Sequence, residues 1–294
     1  MPTRTVQKLI TAHHQREGGG FVVRRPFPTA GLEMVDPFLM LDEMGPVAYG
    51  PGEAIGAPDH PHRGFETITY ILDGEVEHKD SAGHRGVIRP GGVQWMTAGS
   101  GVVHSEMPTE RLRREGGRMH GFQIWLNLPR TQKMTQPRYQ ERDAEQIPTA
   151  VSDDGLARAT VIAGEALGVK ASITTHTPIH YHHWRLAPGA SVETDLPAGL
   201  GAFVYVFEGA AVIGPDGVTA GEGQVAMLAD GDSVRLSVPA DAAAGAQLLL
   251  LAGQPLNEPV ARYGPFVMNA PGEIRQAILD FQQGRMGRIS AELA

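Results

Sequence analysis

The sequence predicts an all-β protein made of two similar antiparallel β-barrels in tandem, with one short helix near the C-terminal end. Three observations carry this reading. Apolar runs are short, rich in β-branched and aromatic residues, and punctuated by turn residues. The 294 residues include 37 glycines and 22 prolines, about a fifth of the chain with no fixed period, which favours tight turns over long helices. Finally, one half of the chain can be laid over the other, and 294 residues is more than one hydrophobic core usually organises.

The runs are, in order, Phe38-Leu39-Met40-Leu41, Glu66 to His78, Gly121 to Pro129, Gly201 to Gly214 and Ala246 to Gly253. Leu248 to Leu251 is continuously apolar, as in a strand covered on both faces. Near the end, Ile274, Ala277, Ile278 and Phe281 follow helical spacing, with Asn269 and Glu273 suited to the start and Gly284 to the stop. In the repeat, Tyr70 to Val76 with Asp73-Gly74 leads to Arg89-Pro90-Gly91-Gly92-Val93-Gln94. Its counterpart, Tyr205 to Ala211 with Glu208-Gly209, leads to Ala220-Gly221-Glu222-Gly223-Gln224-Val225. The polar stretch 136–154, carrying Pro137 and Pro148, is the expected linker between an N-terminal domain, 1–135, and a C-terminal domain, 155–294.

With 33 acidic against 25 basic residues and a net charge of −8, the chain has no broad attraction for nucleic acid or anionic lipid. The cluster Arg111, Arg113, Arg114 and Arg118 reads as a solvated loop. Cysteine is absent, so a metal would have to be held by nitrogen and oxygen. No secretory leader and no run of about 18 apolar residues occurs, which gives the expectation of a soluble, cytoplasmic protein.

The chemistry sits in the first half, in His60-Pro61-His62, Glu66 and His104-Ser105-Glu106. Strand alternation sends residues i and i+2 to one face, so His60 with His62, and His104 with Glu106, can point together into a barrel. Three imidazoles and a carboxylate suit a divalent first-row metal with positions left open. The adjacent pairs His13-His14 and His182-His183 read instead as surface histidines. Trp95, Met96, Phe122, Ile124 and Trp125 read as core rather than cavity wall.

These segments, DHPHRGFETITYILDGEVEHKDSAGHRG, RPGGVQWMTAGSGVVHSE and GFQIWLNLP, with Asp36-Pro37-Phe38-Leu39 and the tail PVARYGPFVMN, closely resemble the pirin family of the cupin superfamily. The resemblance implies a bicupin of two jelly-roll-type barrels packed face to face, with Fe(II) in the N-terminal one and none in the C-terminal one. The family's ligand positions fall on His60, His62, His104 and Glu106. Glu66 is then assigned to orienting a ligand or to packing rather than to ligation. Some pirins resemble quercetin 2,3-dioxygenases, which open a flavonol with dioxygen and release carbon monoxide; there Glu106 would be a ligand and the base for the flavonol proton. The family also contains iron-dependent regulators that bind a transcription factor or a metabolic enzyme. The implied partners are thus a flavonol or other aromatic enol, dioxygen and, in the regulatory reading, a protein, with the chain itself expected to be a monomer. Aligning the repeat places His60 and His62 over Asp195 and Pro197, and His104 and Glu106 over Arg235 and Ser237; a proline side chain cannot ligate and an arginine will not deprotonate to do so, so the second copy is expected to have lost the site.

Overall fold

The repeat becomes two sheet pairs of matching strand order in the computed structural model, which describes residues 2–290. The first pair has a seven-stranded sheet in the order Arg138–Arg142, Val93–Thr97, Phe65–Asp73, Gly117–Asn127, Phe38–Tyr49, Phe21–Phe27, His13–Glu17. Its four-stranded partner is Ala57–His62, Val102–Pro108, Val76–Asp80, Arg85–Ile88. The second pair repeats this as Val6–Thr11, Gln224–Leu228, Gly201–Glu208, Ala246–Gly253, Ile179–Leu186, Ala157–Ala163, Thr149–Val151, with Ser191–Asp195, Ser233–Ser237, Ala210–Ile213, Val218–Gly221. The pairings are antiparallel in both four-stranded sheets, throughout the second seven-stranded sheet, and from Arg138–Arg142 to Phe38–Tyr49 in the first. Each half joins a seven-stranded to a four-stranded sheet as a jelly-roll-type barrel does. The acidic-glycine pairs that mark the repeat close equivalent turns. Gly74 (φ 83°) and Gly209 (φ 70°) are left-handed, and a Cβ at either would press on a backbone carbonyl, of Arg118 or of Gly245.

Two compact units follow these sheet pairs, but they are not consecutive stretches of chain. One comprises residues up to His13, Pro26–Pro37 and Glu145–Pro255; the other comprises His14–Arg25, Phe38–Ala144 and the chain from Leu256 onward. Residues 136–154 are therefore not a free connector. Arg138–Arg142 pairs with Val93–Thr97 and Thr149–Val151 with Ala157–Ala163, each at a sheet edge. Edge strands bury few side chains, so their polar composition reads as linker although their backbone is paired.

Burial follows the apolar runs. Leu248 to Leu251 are fully buried, in a strand flanked by Ile179–Leu186 and Gly201–Glu208. His182 and His183 are buried too, not on the surface, because their strand lies inside that sheet. The arginine cluster is solvated as expected, on a short helix Glu110–Glu115 and beyond, with Arg111 on Glu75 at 3.2 Å and Arg118 on Asp73 at 3.0 Å. Among the described residues no helix is long and apolar enough to cross a membrane.

The C-terminal helix spans Pro271–Gln282 and packs Ile274 and Ala277 against Phe266, Met268 and Val103 of the first barrel. Its start is capped by Glu273, whose Oε2 accepts from the backbone N–H of Asn269 (3.0 Å) and Ala270 (2.8 Å). Phe281, expected on the buried face, is 40% exposed. Asp280 is buried in its place and accepts from Arg63 Nη1 at 2.6 Å. That ion pair fastens the helix to the residue after His62.

Beside it, Lys133 is buried and donates to the Gly64 carbonyl (2.7 Å), Asn127 Oδ1 (2.7 Å) and the Val267 carbonyl (3.0 Å). Lys133→Ala removes one donor from three acceptors. It is expected to lower stability by about 2–4 kcal/mol, read as a fall in the urea midpoint with an unchanged slope; an unshifted midpoint would show that water replaces the ammonium.

Candidate metal centre

The strands Ala57–His62 and Val102–Pro108 run antiparallel with His104 opposite His60 and Val102 opposite His62. The register shifts between His104 and Glu106, so Glu106 stands opposite Ala57. This pairing stacks three imidazoles inside the first barrel, with ring centroids 4.3 Å apart for His60 and His104, 4.7 Å for His60 and His62, and 4.9 Å for His62 and His104. Their ligating nitrogens all lie within 4.8 Å of one another, and among the described residues this is the one such group of three or more. Glu106 stands outside that set. Its Oε1 accepts from the Thr69 hydroxyl at 2.7 Å, and it lines the same cavity as His60 and His62.

Hydrogen bonds fix which nitrogen faces inward. His60 Nδ1 donates to the Pro58 carbonyl (2.7 Å) and His62 Nδ1 to the Pro265 carbonyl (3.4 Å). Both Nε2 atoms then carry lone pairs, and they face each other at 3.1 Å. His104 Nε2 is buried without a hydrogen-bond partner. Burial, reinforced by the neighbouring His60, pushes the His62 and His104 imidazoles well below their ordinary pKa, so they stay neutral. Two nitrogens at adjacent positions on one ion, each about 2.1 Å from it, are about 3 Å apart. The donor set therefore fits a divalent cation, and the three histidines can hold one.

The site opens into a cavity of about 510 Å³ within the unit made of His14–Arg25, Phe38–Ala144 and the chain from Leu256 onward. Its walls are largely apolar, with Phe21, Met40, Met44, Val47, Met119 and Trp125, and its polar groups include Thr69, Glu106 and Gln123. Trp95, Met96, Phe122 and Ile124 are core as expected. Trp125 is not: it forms part of the wall, 5.1 Å from the His62 ring, with Arg262 stacked 4.7 Å over it. Glu66 is buried away from the cluster, taking the Thr97 hydroxyl at 2.5 Å.

Two contributors were not assigned to the site from the sequence, although the tail PVARYGPFVMN that holds them carried part of the resemblance: Arg262 and the Pro265 carbonyl arrive from a segment some two hundred residues beyond the histidines. His78, whose Nδ1 lies 3.4 Å from His104 Nδ1, was visible two residues before Asp80 on a strand of the same sheet. The second barrel differs at the matching strands. There the buried positions are Val192, Thr194, Val234 and Leu236, whereas Asp195 and Arg235 are exposed. The sequence alignment had thus set outward-facing residues over the histidines, and Val192, Thr194, Val234 and Leu236 take the inward positions of these two strands.

A cupin pair with a histidine centre in one barrel defines the class. Within it, residues 20–126 match the family description Pirin and residues 181–287 match the Pirin C-terminal cupin domain. The chain is 44% identical over 285 residues to a pirin-like protein of Solanum lycopersicum, covering 97% of this chain and 93% of that one. It is 42% identical over 288 residues to pirin of Homo sapiens, with 97% and 94% covered. A crystal structure of quercetin 2,3-dioxygenase from Acinetobacter baumannii superposes with a TM-score of 0.91 at 38% identity, covering 98% of this chain and 100% of that one. The chain belongs to the pirin family.

Burial pushes the Glu66 carboxyl up to about 7, against 4.5 in an unfolded chain, even though Thr97 and Trp95 act in the other direction. The folded protein keeps this proton across an interval in which the unfolded chain has lost it, so rising pH removes stability between those values, by up to about 3 kcal/mol. Melting of the metal-free protein should therefore fall from pH 5 to pH 7.5, and Glu66→Gln should flatten that part of the profile. An equal slope in the variant would mean that another group titrates.

Proposed function

We propose that the first barrel is a divalent-metal centre, iron in the working protein, that opens flavonol-type aromatic enols with dioxygen. The observation that supports this reading best is three imidazoles whose ligating nitrogens lie within 4.8 Å of one another, two of them lining a largely apolar cavity of about 510 Å³. His60, His62 and His104 are the ligands, and Glu106 is the fourth. Thr69 takes Glu106 Oε1, which leaves Oε2 as the oxygen available to a ligand or a proton. A bound divalent iron supplies what side chains cannot, a centre at which an enolate and dioxygen exchange electron density.

The remaining work falls to the chain. Phe21, Met40, Met44, Val47 and Met119 take up a flat aromatic body and exclude water from it. Trp125, next to His62 and fixed by Arg262, offers a face for stacking. Glu106 accepts the enol proton, and the Thr69 hydroxyl, donating to Oε1, holds the carboxylate in place. The net reaction consumes one flavonol and one dioxygen and yields a depside and carbon monoxide. The relative of known structure from Acinetobacter baumannii carries the name of that activity.

The test is anaerobic loading with Fe(II), followed by oxygen uptake and carbon monoxide release with quercetin. Turnover should exceed that of the His60→Ala, His62→Ala double variant by about 100-fold or more, and Glu106→Gln should retain iron while losing about 10²-fold in kcat. Full iron loading without carbon monoxide would overturn the dioxygenase reading in favour of an iron-dependent partner-binding protein. Unchanged turnover in iron-loaded Glu106→Gln would remove the proton-accepting role.

A further inference from the structure

Behind His104 lies a line of polar side chains that the cavity does not use. Strand Val76–Asp80 runs beside Val102–Pro108, with Asp80 opposite His104 and His78 opposite Glu106. Alternation turns His78 and Asp80 to the same face as those residues, and both are buried, Asp80 completely. His78 Nδ1 is 3.4 Å from His104 Nδ1, and His78 Nε2 is 4.0 Å from Asp80 Oδ2. That same Oδ2 lies 3.0 Å from Nδ1 of His84, whose side chain is 59% exposed. The line thus runs from the candidate ligand to solvent.

Hydrogen-bond bookkeeping allows one arrangement along it. With a metal on His104 Nε2, His104 Nδ1 keeps its proton and donates. His78 Nδ1 must then accept, which puts the His78 proton on Nε2, a buried nitrogen that makes no hydrogen bond and has the Asp80 carboxylate at 4.0 Å as an electrostatic partner. Asp80 is in turn immobilised: its Oδ1 accepts from the backbone N–H of Ala82 (2.7 Å) and His84 (2.9 Å). Tyr139 covers both rings, 4.9 Å from His78 and 5.1 Å from His84. A turn residue alone would account for Oδ1. It would not account for Oδ2 facing two imidazoles, nor for a buried histidine at position 78 where an aliphatic side chain would cost less.

We propose that His78 and Asp80 are positioning residues for the metal centre, acting in series to hold His104 in the tautomer and orientation that present Nε2 to the ion. This rests on the reading of His104 as a ligand. Carboxylates commonly orient metal-bound imidazoles directly, and losing such a partner typically costs 10–100-fold in metal affinity. Here a second imidazole is interposed, so Asp80 acts only through His78.

The experiment is competition for nickel(II) between the full-length protein and a chelating dye. His104→Ala is measured first. If it binds nickel as the wild type does, the metal reading falls and this proposal with it. If it does not, His78→Phe should weaken binding about 10–100-fold, and His78→Gln, which restores an acceptor for His104 Nδ1–H, should recover most of the loss. Asp80→Asn should weaken binding in the wild-type background and have no further effect in His78→Phe, because the two act in series. Wild-type affinity in His78→Phe, or equal effects of Asp80→Asn in both backgrounds, would overturn the proposal and leave the metal reading standing. Should His78→Phe fail to fold, Asp80→Asn decides alone. Weakened binding with an unchanged metal-free melting temperature supports the proposal, and unchanged binding overturns it.

Discussion

Two imidazole lone pairs that face each other at 3.1 Å inside a β-barrel set the terms for the rest of this protein. With their Nδ1 atoms committed to backbone carbonyls, His60 and His62 cannot turn away, and burial disfavours charging His62 with a proton. His104 brings a third nitrogen, also buried and without a partner. A polypeptide does not gain stability from such an arrangement by itself. A cation resolves it, because it turns three repulsive lone pairs into three bonds.

The barrel delivers this geometry through register. Cross-strand pairing sets His104 against His60, alternation adds His62, and the bulge before Glu106 shifts the carboxylate out of the imidazole cluster toward Thr69. The C-terminal segment then closes the back of the site: the Pro265 carbonyl orients His62, and Asp280 on the terminal helix pairs with Arg63 next to it. In the second barrel the same strand order surrounds Val192, Val234 and Leu236, and the core closes over the place where a site would be. The fold tolerates either filling, since the shell is held by its sheets and the interior need only be satisfied.

How much of this could be read in the sequence follows from how local each signal is. The strands with apolar runs, the paired barrels and the i, i+2 histidine pair depend on neighbours in the chain, and the repeat's turns need their glycines wherever they occur. The edge strands Arg138–Arg142 and Thr149–Val151 were not legible, because they are polar and held by backbone pairing. Phe281 was assigned inward by helical spacing, but Arg63 draws Asp280 in instead, so the buried face is set by an ion pair that spacing does not encode. Arg262 and Pro265 join the site only through tertiary folding. The misplacement of Asp195 and Arg235 over inward-facing histidines reflects period-two strands, in which a single step exchanges inside for outside.

The most direct test of the central claim is the coordination of the loaded protein. Crystals grown anaerobically with Fe(II), with anomalous data at the iron edge, should place a single iron bonded to Nε2 of His60, His62 and His104 and to a carboxylate oxygen of Glu106. Iron bound elsewhere, or at this site without His104, would contradict the account.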